Sequence, residues 1–423
     1  MNENIMKFSE TIWPFKLPKA NYSFLIILMI LSIIPTMQAE QYQSVSSDIT
    51  ASGENQLQLA ASFEDGKLFR INGLSVSCLN GSWHEMGRQY GALYRNDLIF
   101  IAQIMKTNFV EDGISLQSML KEGDRIYHSY PASYREIFAG MQETSGLSHS
   151  DLLIINAKEN FMPDAEGACS AMAVWNNYTS GAPLIFGRNY DYGNLFASNV
   201  TVTVWNPEDG SIPFASITYP GSIYVTSALS RERLFMELNN GEISGGMFWV
   251  KPRAFGPVSL FSMINGAKNL SDLNTSFQST NTDVALIVNA AQDNSSISYE
   301  WPTWGLKLRG PNQDGLLVST NHFTDPAWGI PEPEIGSHDV YQTTQRKNNL
   351  LNLSAQHKGR ITPKTMMQIM STSIEEGGPF RSQNVTSFAT SYQIVAVPSQ
   401  LKIWVRIPGF VDWTALQLEP YFR

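Results

Sequence analysis

The chain of 423 residues is 43% hydrophobic and 16% charged, enough apolar material for a large core in one big domain or in two or three smaller ones. Its net charge of −9, with no Lys/Arg-rich run, excludes nucleic acid as a partner, because phosphate binding needs clustered positive charge. Two cysteines, Cys78 and Cys169, allow at most one disulfide, and that bridge would abolish a thiol nucleophile.

Lys7, Lys16 and Lys19 precede an apolar run from Phe24 to Ile34 that only Ser32 interrupts. Such a run makes roughly 16 Å of helix, short of a hydrocarbon core near about 30 Å but suited to the apolar part of a secretory signal. Residues 1–39 are expected to be a signal peptide cut near Ala39, giving a secreted or periplasmic protein. The long lead-in and Met37, three positions before the cut, keep an uncleaved membrane anchor as the alternative. No later segment reaches spanning length, so no membrane span is expected after the signal.

Residues 40–168 are expected to form a mainly helical N-terminal region, a pro-segment or α chain. Its first part, 41 to about 68, is polar and low in aromatics and reads as a loosely held leader. A short strand from Leu74 to Leu79 runs into Ser82, which can cap a helix while Glu85 reaches back to complete a capping box. The helix that follows carries Met86, Tyr90, Leu93, Tyr94, Leu98, Ile101 and Ile104 at three- and four-residue spacing. Gly87 and Gly91 share one face of it, where they weaken the helix and so imply close packing against another element. Further helices are expected at about Pro131 to Thr144 and Ser148 to Phe161.

From Cys169 onward the pattern changes to period-two and short apolar runs. Strands are expected at Ala171–Trp175, Leu184–Asn189, Val200–Trp205, Phe214–Tyr219, Leu234–Leu238, Val284–Ala290, Ile297–Trp301, Leu316–Ser319, Gln393–Val397 and Leu401–Ile407. Helical patterns interrupt them around 258–280, 341–354 and 363–373. Most links between strands are too short for a crossover helix, so the sheets should be largely antiparallel and the class α+β. Residues 169–423 would be the catalytic region.

The six histidines are scattered without His-x-x-x-His or Cys-x-x-Cys pairing, so neither a metal nor a cofactor is expected. No phosphate-binding Gly-rich loop and no Gly-x-Ser-x-Gly elbow is present. What remains is the thiol of Cys169, although most free cysteines are buried and inert. A cysteine nucleophile needs a base to make thiolate and donors for the developing oxyanion. His322, far downstream, could serve as in papain-like peptidases, although the local cysteine signature of those enzymes is absent. Autoproteolysis before Cys169 would instead leave its own α-amino group as base, with a pKa of about 8. Ala168-Cys169 after Glu166-Gly167 suits such a cut.

Cys169-Ser-Ala at the start of one strand, with Phe186-Gly187-Arg188-Asn189-Tyr190-Asp191-Tyr192 ending the next, resembles the choloylglycine hydrolase and acid-amidase group of N-terminal-nucleophile hydrolases. The stretches Gly81 to Gly91 and Ser145 to Asn156 resemble the precursor region of the related penicillin acyltransferase branch. Ser319-Thr-Asn-His-Phe323 and Thr343-Thr-Gln-Arg346 resemble its later motifs, in the same order. The resemblance spans about 74 to 407 and implies an αββα sandwich, two antiparallel sheets between helical layers.

It also implies roles. Cys169 would be the nucleophile, Arg188 and Asp191 would hold it and its amine, Asn321 would serve the oxyanion hole, and Arg346 would be a second arginine of the site. Leu238-Asn239-Asn240-Gly241 is one residue shorter than the family's asparagine motif, so Asn239 is taken with Asn240 as the alternative. Read without the family, Arg188 and Asp191 are a hairpin ion pair, Asn321 a turn residue and Arg346 an exposed helical arginine. Trp175, Tyr190, Tyr192, Phe248 and Trp249 are candidates to line an acyl pocket, although aromatics in strands are more often core. The implied function is an exported, autoprocessing hydrolase of linear amide bonds with a small-molecule N-acyl amide as partner; a homo-oligomer is left open. Acyl transfer from a thioester to an amine, a papain-like Cys-His peptidase, and a non-catalytic binding protein on the same scaffold are the alternatives.

Overall fold

The computed structural model describes residues 57–111, 113–156, 168–246, 250, 253–336, 339, 341–382 and 388–423. The expected signal peptide, Glu166-Gly167, Phe248 and Trp249 lie outside them. Two sheets organise the chain. The first has ten strands in the order β1-β2-β3-β6-β7-β8-β9-β10-β11-β12, and the second has six in the order β13-β4-β5-β14-β15-β16. Here β1 is Gln58–Phe63, β2 Gly66–Ile71, β3 Leu74–Gly81, β4 Ala168–Val174, β5 Ile185–Gly193, β6 Thr201–Pro207, β7 Phe214–Thr218 and β8 Ser227–Ser230. The remainder are β9 Phe235–Asn240, β10 Leu286–Gln292, β11 Ser295–Trp301, β12 Lys307–Arg309, β13 Leu316–Ser319, β14 Phe388–Val397, β15 Lys402–Ile407 and β16 Val411–Gln417. Among them only β3 and β6 pair in parallel, and that pairing ties the region before Cys169 into the same sheet as the region after it. The class is α+β, as the sequence predicts.

Alternation along each strand separates the layers. On β4, Cys169, Ala171 and Ala173 join the large core shared with the first sheet, whereas Met172 and Val174 join a smaller cluster with Leu350, Met366, Ile369 and Met370. Those four come from helices α9 (Thr343–Gln356) and α10 (Pro363–Ser371). The other face of the first sheet carries α1 (Trp83–Leu93), α2 (Arg95–Glu111), α3 (Leu116–His128), α4 (Ala132–Ser145), α5 (His149–Asn156), α7 (Gly256–Gly266) and α8 (Leu270–Ser279); α6 (Glu242–Gly245) is a single turn after β9. The result is helix, sheet, sheet, helix. Among the described residues no helix is long and apolar enough to cross a membrane.

The capping box forms as expected: Ser82 accepts from the Glu85 amide and the Glu85 carboxylate accepts from the Ser82 amide. The single helix expected after it is broken at Tyr94 into α1 and α2. Gly87 and Gly91 lie against α4, where an added Cβ at Gly87 would run into the Ile137 carbonyl and one at Gly91 would sit 2.8 Å from that of Met141. Gly140 answers from the other helix, its Cβ position occupied by the His84 carbonyl oxygen. Because backbone cannot retreat as a side chain tip does, Gly140→Ala should destabilise by about 1–3 kcal/mol. A thermal midpoint unchanged from wild type would show that the two helices do not cross so closely.

The expected leader is partly structured. Residues 58–71 form the β1–β2 hairpin, whose outward polar side chains give the segment its loop-like composition while Leu68 and Ile71 are buried. Helix α3, capped by Ser115, and the short strands β8 and β12 have no counterpart in the sequence reading; β8 and β12 span four and three residues, too few to show a period. The helix expected to reach Phe161 is described as far as Asn156.

Candidate active site

Cys169 lies one residue into β4, opposite Tyr190 on β5, with Ala171 opposite Arg188 and Ala168 opposite Asp191. Opposed residues share a face. Arg188, Tyr190 and Tyr192 therefore point with the thiol into the gap between the sheets, and Gly187, Asn189 and Asp191 point toward α9 and α10. Arg188 and Asp191 are three residues apart in a strand and stand on opposite faces, so the simple hairpin ion pair does not form.

Arg188 is fully buried. Its Nη2 donates to the Cys169 Sγ at 3.7 Å and to the Leu238 carbonyl at 2.6 Å, and its Nη1 donates to the Thr226 carbonyl and the Ser227 hydroxyl. Its Nε lies 3.2 Å from Glu237 Oε2. The guanidinium stacks over the Tyr190 ring at 5.0 Å, and Tyr190 stacks on Tyr392 at 4.7 Å. An arginine fixed this tightly presents one direction of positive charge to the thiol. Burial nevertheless pushes the Cys169 thiol up to about 11, against the pull of Arg188.

Glu237 escaped the sequence reading. It is a completely buried carboxylate on β9, held by Arg188 on one oxygen and by Asn289 on the other, and burial pushes it up to about 6. A single acidic residue inside the apolar run Leu234–Leu238 was the available signal, since a buried charge needs a partner.

The backbone of Cys169 is held from the other side. Its nitrogen, an amide in this continuous chain, donates to Asn321 Oδ1 at 2.9 Å, and Arg346 donates to its carbonyl. Arg346 also donates to Asn321 Oδ1 at 2.7 Å and lies 3.9 Å from Asp191 Oδ2, so one guanidinium links three of the predicted residues. Arg346 is fully buried, not exposed, and burial pushes it down to about 10 despite the nearby Asp191. Asp191 accepts from Thr390 at 2.7 Å; burial raises its carboxyl above the ordinary range, opposed by Arg346 and Arg381. Asn321 follows β13, where Thr343 accepts from its amide at 2.8 Å and its Nδ2 donates to the Asn240 carbonyl at 3.0 Å.

The two neighbouring asparagines separate cleanly. Asn240 spends its side-chain oxygen on the Glu242 amide at 2.7 Å, at the start of α6. Asn239 shares the inward face of β9 with Glu237 and donates to the Thr320 carbonyl at 3.2 Å, beside Asn321. Asn239 is thus the one whose side chain turns to the Thr320–Asn321 segment, while Asn240 meets Asn321 through its carbonyl.

Of the pocket candidates, Tyr190 lies opposite Cys169 and Tyr192 packs beside Tyr190, with ring centroids 5.8 Å apart. Trp175 does not. Six residues along the same chain direction place it roughly 20 Å from Cys169, at the far end of β4, where its amide bonds to the Gly315 carbonyl. His322 also stays away from the thiol: its Nδ1 lies 2.9 Å from Thr343 Oγ1 and its Nε2 lies 3.9 Å from Glu332. Burial pushes its pKa down to about 4, and among the described residues the ring nitrogens meet Thr320, Thr343 and Glu332, not the thiol. Both cysteines are free, and burial pushes the Cys78 thiol up to about 12.

Fold and site together define an α+β protein of two facing sheets with one heavily coordinated, buried cysteine at the end of a strand. No protein-family model matches the chain. Among curated proteins it is similar to an uncharacterized protein of Archaeoglobus fulgidus, 22% identical over 317 residues, which covers 60% of this chain and 51% of that protein. The chain thus spans about half the length of the curated relative it matches. Among solved structures it is similar to a mutant of the conjugated bile acid hydrolase from Clostridium perfringens, with 11% identity over 60% of this chain and 93% of that one and a TM-score of 0.45. It is similar to the Caenorhabditis elegans ortholog of N-acylethanolamine-hydrolyzing acid amidase, with 16% identity, 54% and 93% coverage and a TM-score of 0.39. Penicillin V acylase from Agrobacterium tumefaciens gives 8% identity, 59% and 86% coverage and a TM-score of 0.41.

Proposed function

We propose that the protein is an exported, self-processing hydrolase of the N-terminal-nucleophile kind, acting on a linear amide bond of an N-acylated small molecule. One observation carries the reading: the nitrogen, the carbonyl and the thiol of a single cysteine are met by three different buried side chains, Asn321, Arg346 and Arg188. A packing cysteine needs none of them.

In the continuous chain the thiol, pushed up to about 11, is a poor nucleophile near neutral pH. Self-processing begins with attack of Sγ on the Ala168 carbonyl carbon. The acyl group moves from nitrogen to sulfur, and water then hydrolyses the thioester, leaving a carboxylate on Ala168 and an α-amine on Cys169. That amine, with a pKa of about 8, is the base tethered to the thiol. In turnover it takes the thiol proton as Sγ attacks the substrate carbonyl, and it passes that proton to the departing amine. Water then attacks the thioester and gives one proton back through the same α-amine, releasing the acid. In this reading Asn239 and Asn321 serve the oxyanion and Arg188, which donates to Sγ, holds the thiolate.

Mixing purified protein with an activated N-acyl amide and quenching within the first turnover tests this chemistry. The expected product is a hydroxylamine-sensitive acyl group on the fragment that begins with Cys169, followed by free acid on longer incubation. Label on any other residue overturns the assignment.

A further inference from the structure

Asn321 sits in a short stretch, Ser319 to Phe323, that leaves β13, the edge of the second sheet, and runs beside β12, the edge of the first. Two residues of the first sheet grip that stretch at both ends. Glu300, on β11 and fully buried, receives the Thr324 amide at 2.7 Å, the Asp325 amide at 3.2 Å and the Trp328 indole nitrogen at 2.7 Å. Arg309, on β12, pairs with Glu300 at 3.3 Å and donates to the Val318 carbonyl at 2.9 Å. One contact lies just before the Asn321 segment and the others just after it. Behind them Trp328 packs on Phe323 with ring centroids 5.5 Å apart, two residues from Asn321.

We propose that Glu300 and Arg309 are positioning residues for the Cys169 site, which set the place of Asn321 by clamping its segment to the opposite sheet. The inference rests on the hydrolase reading above. Its physical ground is that Asn321 is carried by one sheet while its partner Asn240, and the neighbouring Asn239, belong to the other. Cys169 lies on β4, which pairs with β13 in the same sheet as Asn321, so the separation of the two sheet edges sets whether the Asn321 segment, with Oδ1 at the Cys169 nitrogen, stays against Asn239 and Asn240 of the other sheet. A buried carboxylate receiving three donors from one short turn fixes that separation more rigidly than apolar contact, because each donor has a direction. Displacements near 1 Å are enough to cost on the order of 100-fold in rate.

The test uses Glu300→Gln, which keeps the volume and one acceptor oxygen, with Arg309→Met and the conservative Arg309→Lys. Glu300→Gln and Arg309→Met are expected to lower kcat by roughly 10- to 100-fold with KM within about threefold, and Arg309→Lys to recover most of the loss. Lys307→Ala, on the same strand with its ammonium over the Trp328 ring, should keep wild-type kcat. In a crystal structure of Glu300→Gln, Asn321 Oδ1 should have moved from its 2.9 Å position at the Cys169 nitrogen. Unchanged kcat in Glu300→Gln, or an unmoved Asn321, overturns the positioning role while leaving the hydrolase reading standing. If the wild-type protein hydrolyses no amide, the hydrolase reading falls and the position of Asn321 in the variant alone decides the clamp.

Discussion

Cys169→Ala is expected to remain an uncleaved chain and to lose amide hydrolysis by about 10⁴-fold or more, because it removes both the attacking sulfur and the event that creates the base. Loss of fold is not the reason. Cys169 is a free cysteine, and among the described residues its thiol has Arg188, at 3.7 Å, as hydrogen-bond partner, so truncation in this core position should cost about 1 kcal/mol. The matched control is Cys78→Ala. Cys78 is also buried but lies on β3 in the other sheet, and its loss should leave processing and turnover intact. Intact mass and steady-state rate on the two variants read both outcomes. Residual activity in Cys169→Ala, or inactivity of Cys78→Ala at unchanged thermal midpoint, would contradict the assignment.

Arg188→Leu should be the most damaging substitution for stability and activity together. It strips the cation from a fully buried carboxylate, Glu237, at a cost of about 3–5 kcal/mol. It also removes the charge that opposes burial at the thiol, raising the Cys169 pKa further. Adding Glu237→Leu should recover much of the stability, since an apolar pair needs no counter-charge, and none of the activity. Recovery of turnover in the double variant would show that Arg188 serves packing only.

The same pair gives a pH dependence. The Glu237 carboxyl is raised from an ordinary 4.5 to about 6 by burial, so the folded chain binds this proton more tightly than the unfolded one. Its contribution is fully present below pH 4.5 and is lost as pH rises through 6, a change of about 2 kcal/mol. Glu237→Gln removes it. The wild-type midpoint should therefore fall relative to that of Glu237→Gln between pH 4.5 and 7, and parallel curves would contradict the burial account.

Much of the fold was legible where side chains repeat with a period. The inward residues of β4, β5, β6 and β10 announce themselves, as does the capping box at Ser82. Segments whose outward half is polar, such as β1 and β2, or whose length is three or four residues, such as β12 and β8, carry too little pattern to separate from loop. The site was legible as a set of residue types: Cys169, Arg188, Asp191, Asn239, Asn321 and Arg346 all converge. Their wiring was not. Strand parity alone forbids the Arg188–Asp191 pair, and counting from Glu237 assigns Asn239 inward, but both arguments need the strand boundaries first. The partnership of Arg188 with Glu237 crosses between sheets and has no trace in local sequence. Trp175 fails for a simpler reason: an apolar aromatic in the right strand still lies at the wrong end of it.

N-terminal sequencing of the purified protein, with intact mass, reads the state of the peptide bond before Cys169. The expected result is one fragment whose first residue is Cys169 and a companion that ends at Ala168. An unbroken chain that hydrolyses amides at full rate would contradict it.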